Sequence, residues 1–316
     1  MKRLLVLLLW GQILSAGAFN IDIVPQNVNK ENLGICILDQ KELSFLEVGG
    51  VKFSEISDLA YNKRTDSLFM VSDEGKLFEF SAVFTDKIEK LKPIKAGRLL
   101  KKNGRKFKKW RQDSEGMTLD DKGRLLISFE EKPKVGWFHK NSNKYGRMIH
   151  KYKLPKKLRN IKNYRSKNKG LEALAWHKDY GILTAAEWPI KRDNKKFQTI
   201  YSLGGKEWHF KAEPEGNSAI AAIEVMEDGN ILVLERSFTG YLNPFVVTLK
   251  KVYIHRCRKR MCPTRVLAKM STHKGWNIDN FEGLAKVGKH RYVMISDDND
   301  NFFQRTLLIY FKVNEQ

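Results

Sequence analysis

The signatures of the common hydrolase mechanisms are missing from this sequence. No G-x-S-x-G elbow is present, which disfavours a serine esterase of the α/β-hydrolase type. There is no H-E-x-x-H and no P-loop. The seven histidines are scattered, with no pair at metal-ligand spacing on one helix face, so each reads as a surface or packing residue. Cysteine is scarce, at three in 316 residues, and its spacing fits no usual zinc pattern. Acidic residues are outnumbered, 36 against 58 Lys and Arg, for a formal charge of +22. Beyond the N-terminus no run is long and apolar enough to cross a bilayer. Strong helical periodicity is scarce as well.

What is present begins with "MKRLLVLLLWGQILSAGAF". Two basic residues, an apolar run and Ala16-Gly17-Ala18 make a Sec signal peptide, expected to be cut after Ala18. The expected division is a signal peptide over 1–18 and a single domain over 19–316. An exported chain, periplasmic or secreted, permits disulfides. Cys257 and Cys262 flank "RKRM" in what reads as a hairpin turn and are expected to pair, leaving Cys36 over. The positive charge is concentrated in Asp86 to Arg111 and in Lys140 to Lys169, the second of which holds no acid. Aromatics are interleaved there: Phe107, Trp110, Tyr145, Tyr152 and Tyr164. These segments read as solvated Lys-rich loops, or as a patch that meets an anionic membrane or envelope surface. No nucleic-acid motif accompanies them, so no nucleic-acid partner is expected. A monomer is expected.

The acids follow a repeat. Five segments place an acid, a small residue and apolar residues before a turn, then an apolar strand and a second acid. They run Glu55 to Asp73, Glu115 to Glu130, Glu172 to Glu187, Ile220 to Glu235 and Glu282 to Asp297. The separation is 15 in four copies and 18 in the first. Residues equidistant from a hairpin turn lie side by side. The midpoints fall on turn chemistry such as Lys122-Gly123 and Glu227-Asp228-Gly229, so each segment reads as a β-hairpin. Both acids then sit at one end, opposite the turn. Hairpins recurring at this interval leave room for a four-stranded sheet each, and the fold class is all-β, a β-propeller of five to six blades. A β-sandwich would not explain a recurring acidic rim. Propellers close on themselves, so "RTLLIYFKV" and "GICILD" are expected to share a blade.

"DNFEGLA" followed by "SDDNDNFFQRTLLIYF", with "LVLERSF" and "DSEGM", resembles the phytase-like family, esterase-like activity of phytase. The resemblance runs from about Ser54 to Val313. It implies a secreted bacterial propeller, phosphoester or ester hydrolysis, and calcium, which the propeller phytases use. The fourth copy departs from the pattern. It has Ile220-Ala221 where others have Glu, and its strand ends in Glu235-Arg236, a gap that Arg236 would fill.

On the residues alone, carboxylates converging at a channel mouth raise one another's pKa or demand a cation. An oxygen-rich site suits Ca²⁺ or another divalent cation. The expected ligands are Glu55, Asp73, Glu130, Glu172, Glu187, Asp297 and Asp298, with Glu74 and Glu235 in the same tier. Glu115, Glu282 and Arg236 are the expected catalytic residues, and Tyr241 and Arg305 the expected donors to a small anionic or phosphorylated substrate. The function expected is an exported metal-dependent phosphoesterase. The alternatives are a non-catalytic periplasmic binding or scaffold propeller, and a lactone or sugar hydrolase.

Overall fold

A computed structural model describes residues 17–28, 33–108, 112–141, 143–240 and 243–314. The leader residues 1–16, Trp110 and Tyr241 lie outside these residues.

Five sheets carry the chain. Blade I has the strands Ile56–Asn62, Ser67–Ser72, Lys76–Phe84 and Ile88–Arg98. Blade II has Ser114–Leu119, Leu125–Phe129, Lys134–Phe138 and Met148–Lys151. Blade III has Leu171–His177, Gly181–Ala186, Phe197–Ser202 and Glu207–Lys211. Blade IV has Ala219–Val225, Ile231–Ser237, Val246–Val252 and Thr264–Ser271. Blade V begins with Asn280–Gly288, Arg291–Asp297 and Leu307–Val313. The first strands of successive blades lie side by side, and that of blade V returns to that of blade I. The protein is a five-bladed β-propeller, which decides between the five and six blades that the sequence left open.

Blade V is completed from the other end of the chain. Ile35–Leu43 pairs antiparallel with Leu307–Val313, with Ile35 opposite Val313 and Ile37 opposite Phe311. Ala18–Asn20 adds a short outer strand. Closure removes the open edge that a linear array of sheets would present.

The core lies between blades. Leu234 with Phe281, Ile295 with Leu59, Ile220 with Ala173, Met117 with Val71 and Leu126 with Leu174 belong to five separate apolar clusters, one per blade interface. Strands such as Arg291–Asp297 are therefore buried almost throughout, because both sheet faces meet a neighbouring blade. That is why their sequences are continuous apolar runs and not alternating ones.

Two carboxylates hold the ring at its inner strands. Asp58 accepts from the backbone N–H of Leu59, of Met117 in blade II at 2.6 Å and of Leu284 in blade V at 3.0 Å. Glu224 accepts from Val225 and from Lys286 of blade V. The interleaved aromatics of the basic segments are packing residues: Phe107 and Tyr145 rest on the I–II core, and Tyr164 is buried. His177, also buried, bonds the Gly229 carbonyl. Cys257 and Cys262 form a disulfide and Cys36 is free and exposed, as the spacing predicted.

Candidate active site in the carboxylate ring

Each inner strand carries a one-residue bulge at the same register. The extra residue falls between Ile56 and Asp58, between Ser114 and Met117, between Leu171 and Ala173, between Ile220 and Ala222, and between Phe281 and Gly283. A bulge re-aims a side chain at the rim of a sheet. The bulged residues are Ser57, Glu115, Glu172, Ala221 and Glu282. Gly116 follows one of them because a Cβ there would lie 2.5 Å from the Glu172 carbonyl oxygen of blade III. Gly283 follows another, with Asp58 Cα 2.8 Å from the same construction. The Glu-Gly pair thus places an acid and lets the next blade approach.

Two further positions complete the rim. At the ends of the second strands or just past them stand Asp73, Glu130, Glu187, Arg236 and Asp297, each one residue beyond the bulge pairing. Their backbone partners are Glu55, Asp113, Gly170, Ala219 and Asn280. This register corrects two alignments drawn from spacing. In blade I, Glu55 is the counterpart of Asp113, and Ser57 that of Glu115, so the long separation of 18 arose from matching the wrong position. In blade IV the counterpart of Glu187 and Asp297 is Arg236, not Glu235. A one-residue slip sends a side chain to the other face, and Glu235 accordingly faces Lys250 at 2.9 Å and caps the Glu213 N–H.

Arg236 fills the gap in the ring. Its Nη2 lies 3.0 Å from Glu282 Oε1, 3.4 Å from Glu187 Oε1 and 3.9 Å from Glu172 Oε1. Lys169, the end of the second basic segment, reaches Glu187 Oε2 at 2.6 Å. Asn280 donates to Glu282 Oε1 at 2.7 Å. Glu172, Glu187 and Glu282 are therefore compensated, and their charge holds the Arg236 pKa up against the opposing effect of burial.

The other side of the ring has fewer cations. Asp113, Glu115 and Glu130 form one group of carboxylate oxygens within 4.8 Å of each other, and Glu130, Glu172 and Glu187 form a second. Burial raises the Glu130 pKa to about 9, with Asp113 adding to it. Asp297 is pushed to about 9 by burial and Glu282, and Asp73 to about 7 by burial and Glu55. Glu115 and Glu172 are held well above the usual carboxylate range by burial and then by neighbouring acids. Asp73 Oδ1 is buried with no partner among the described residues.

These acidic groups could hold a metal ion. Oxygens separated by up to 4.8 Å can face one another across an ion with metal–oxygen distances of about 2.4 Å, as for Ca²⁺. The donors are all carboxylates, a hard set suited to that class of ion.

Other expected residues sit outside these two carboxylate groups. Asp298 spends its oxygens on the Glu55 and Asp300 N–H groups and the Thr306 hydroxyl. Glu74 pairs with Lys76 near the surface. Glu55 lies beside Asp298 and 4.0 Å from Lys76. Arg305 donates to Asn277 Oδ1 at 2.8 Å and lines a cavity shared with Arg236 and Glu282. Asp113 and Lys169 were not singled out from the sequence. Asp113 stood within the quoted "DSEGM", two residues before Glu115 just as Glu55 stands two before Ser57.

No curated protein matches the chain. Among solved structures, the PQQ-bound form of aldose sugar dehydrogenase from Streptomyces coelicolor is similar over 87% of this chain and 98% of its own, with a TM-score of 0.43 and 9% identity. That likeness carries no argument about chemistry. The family described as "Phytase-like: Esterase-like activity of phytase" matches residues 51–300. Since the match spans most of the chain, including all five acid-bearing hairpins, the protein belongs to the phytase-like family.

Proposed function

We propose that the protein is an exported, metal-dependent hydrolase of anionic phosphoesters. The observation that carries this reading is the split ring: a carboxylate group at Asp113, Glu115 and Glu130 beside an arginine set among Glu172, Glu187 and Glu282. A divalent ion held by Asp113 and Glu130, with Glu172, Glu187 or Asp73 as further donors, would supply charge for a phosphoryl oxygen and acidify a water. The chain's own groups do the rest. Arg236, whose side chain is 19% exposed and lines a cavity, binds a phosphoryl oxygen. Glu282, bonded to both Arg236 and Asn280, positions that guanidinium. Glu115, whose pKa burial and neighbouring acids raise, would be ionised by the charge of an ion at the adjacent Asp113 and Glu130; water then forms the new P–O bond and gives it a proton as the ester P–O bond breaks. Asp297, kept protonated near neutral pH by burial, gives a proton to the leaving oxygen, and solvent exchange resets the pair. The disulfide supports an oxidising, periplasmic or secreted location.

The test is turnover of phytate, p-nitrophenyl phosphate and bis-p-nitrophenyl phosphate with and without Ca²⁺, alongside elemental analysis of the purified protein. Hydrolysis that needs the ion and is lost in Glu115→Gln supports the reading. No turnover of any substrate, with wild type equal to Glu115→Gln, sinks it.

A second reading is a non-catalytic scaffold propeller. Its support is that Arg236 and Lys169 already neutralise part of the ring, while Lys90 and Lys92 stand exposed on the outer strand of blade I. Salt-sensitive binding to anionic vesicles, without turnover, would favour it.

A further inference from the structure

We propose that the site selects an anionic ester with one charged group and an apolar, ring-sized group, and not a polyanionic substrate. This rests on the hydrolase reading above and names its substrate class. A cavity of about 610 Å³ adjoins the carboxylate ring, a size typical of small-molecule sites. Arg236, Glu282 and Arg305 line it together with Phe238, Phe245 and Phe303. Most large apolar side chains of this propeller are buried between blades, but Phe303 is 86% exposed and Phe238 41%. Phe238 and Phe245 sit with ring centroids 5.7 Å apart.

The exposure of Phe303 is built in. Its N–H donates to Asn301 Oδ1, and the Asn301 N–H donates to the Asp298 carbonyl. The Asn299 side chain donates to Gln304. The same loop starts at Asp297 in the ring, so the ring-bearing turn and the acids are one element. Leaving phenyl rings in water beside a polar site is unfavourable unless a ligand covers them.

Charge decides against a polyanion. Among the described lining residues the cations are Arg236 and Arg305. Arg305 is already paired with Asp279, at 3.5 Å, and Arg236 with Glu282. Asp279 and Glu282 line the cavity too. The Arg236 side chain is 19% exposed and lines the cavity, which leaves one guanidinium face for one anionic group. Several phosphates on one ring would meet as many carboxylates as guanidinium groups, each guanidinium already paired with one of them. A single phosphoryl group at Arg236, with a flat apolar group across the phenyl rings, meets complementary chemistry throughout.

The experiment compares kcat/KM for 1-naphthyl phosphate and glycerol 2-phosphate, in wild type, Phe303→Ala and Phe238→Ala. In parallel, calorimetry measures binding of the uncleavable 1-naphthyl phosphonate and of methylphosphonate. The expected result is a preference for the naphthyl ester that falls about tenfold in each variant, chiefly through KM. Phe303 is solvent-facing, so its truncation leaves folding intact. Turnover of both esters at equal efficiency, with phosphonate affinities unmoved by either substitution, overturns the inference and leaves the hydrolase reading standing. Phenylalanine-dependent binding of naphthyl phosphonate without turnover supports the inference and overturns hydrolysis. Neither binding nor turnover overturns both.

Discussion

Replacing Arg236 by Gln tests the electrostatics of the ring most directly. The guanidinium lies 3.0, 3.4 and 3.9 Å from carboxylates of two blades. One ion pair at 4 Å is worth about 4 kcal/mol at an effective dielectric of about 20. The three do not add, because the carboxylates repel each other and Arg236 lost water on burial. The net change follows the rule for a broken buried pair, a loss of about 3–5 kcal/mol. That corresponds to a Tm lower by about 10 °C. The assay is urea unfolding and a thermal scan of the metal-free protein, with the Arg236→Lys variant alongside to keep the charge. Calcium at a hundred times its Kd adds about 2.7 kcal/mol to any protein that binds it only when folded. Arg236→Gln leaves Glu282 and Glu172 without their cation, while Glu187 keeps Lys169, so its gain from calcium should exceed the wild-type gain. An Arg236→Gln protein that unfolds within about 1 kcal/mol of wild type, with and without calcium, would refute the reasoning.

Three other outcomes are expected. Metal-free protein should lose stability as pH rises from about 5 to 9: Glu130 and Asp297 have folded pKa values raised to about 9, so the native state binds more protons than the unfolded one across that window. Thermal scans with and without Ca²⁺ check it, and calcium should flatten the decline most at the alkaline end. Gly116→Ala puts a Cβ 2.5 Å from the Glu172 carbonyl oxygen and should cost about 3 kcal/mol, read as a shifted urea midpoint. Asp58→Asn turns an acceptor towards three N–H donors into a group with one acceptor; a loss of about 2 kcal/mol is expected, and a midpoint equal to wild type would show that the ring does not depend on it.

The repeat was legible because a β-hairpin converts equal distance from a turn into spatial adjacency. Glu172 and Glu187, or Glu282 and Asp297, therefore meet at one end of their blades, as the interval of 15 implied. The pairing of "GICILD" with "RTLLIYFKV" was legible too, since closing a ring needs a strand from each terminus. The Cys257–Cys262 pairing followed from proximity along the chain. What spacing misjudged was register, by two residues at Glu55 and by one at Glu235. Glu55 and Glu235 looked equivalent to the other acids, and the bulges move each of them off the corresponding position. Asp113 was hidden for the same reason.

By itself the sequence determined the class of fold, the hairpins and which ends of them carry acid, because strand periodicity and turn chemistry are local. The partners of Arg236 were decided only in the tertiary structure. Glu172 and Glu187 come from the preceding blade and Glu282 from the next, and no spacing along the chain encodes which side chains face one another across a closed ring. The same holds for Asp58, which the sequence does not single out and which ties blades I, II and V by their backbones.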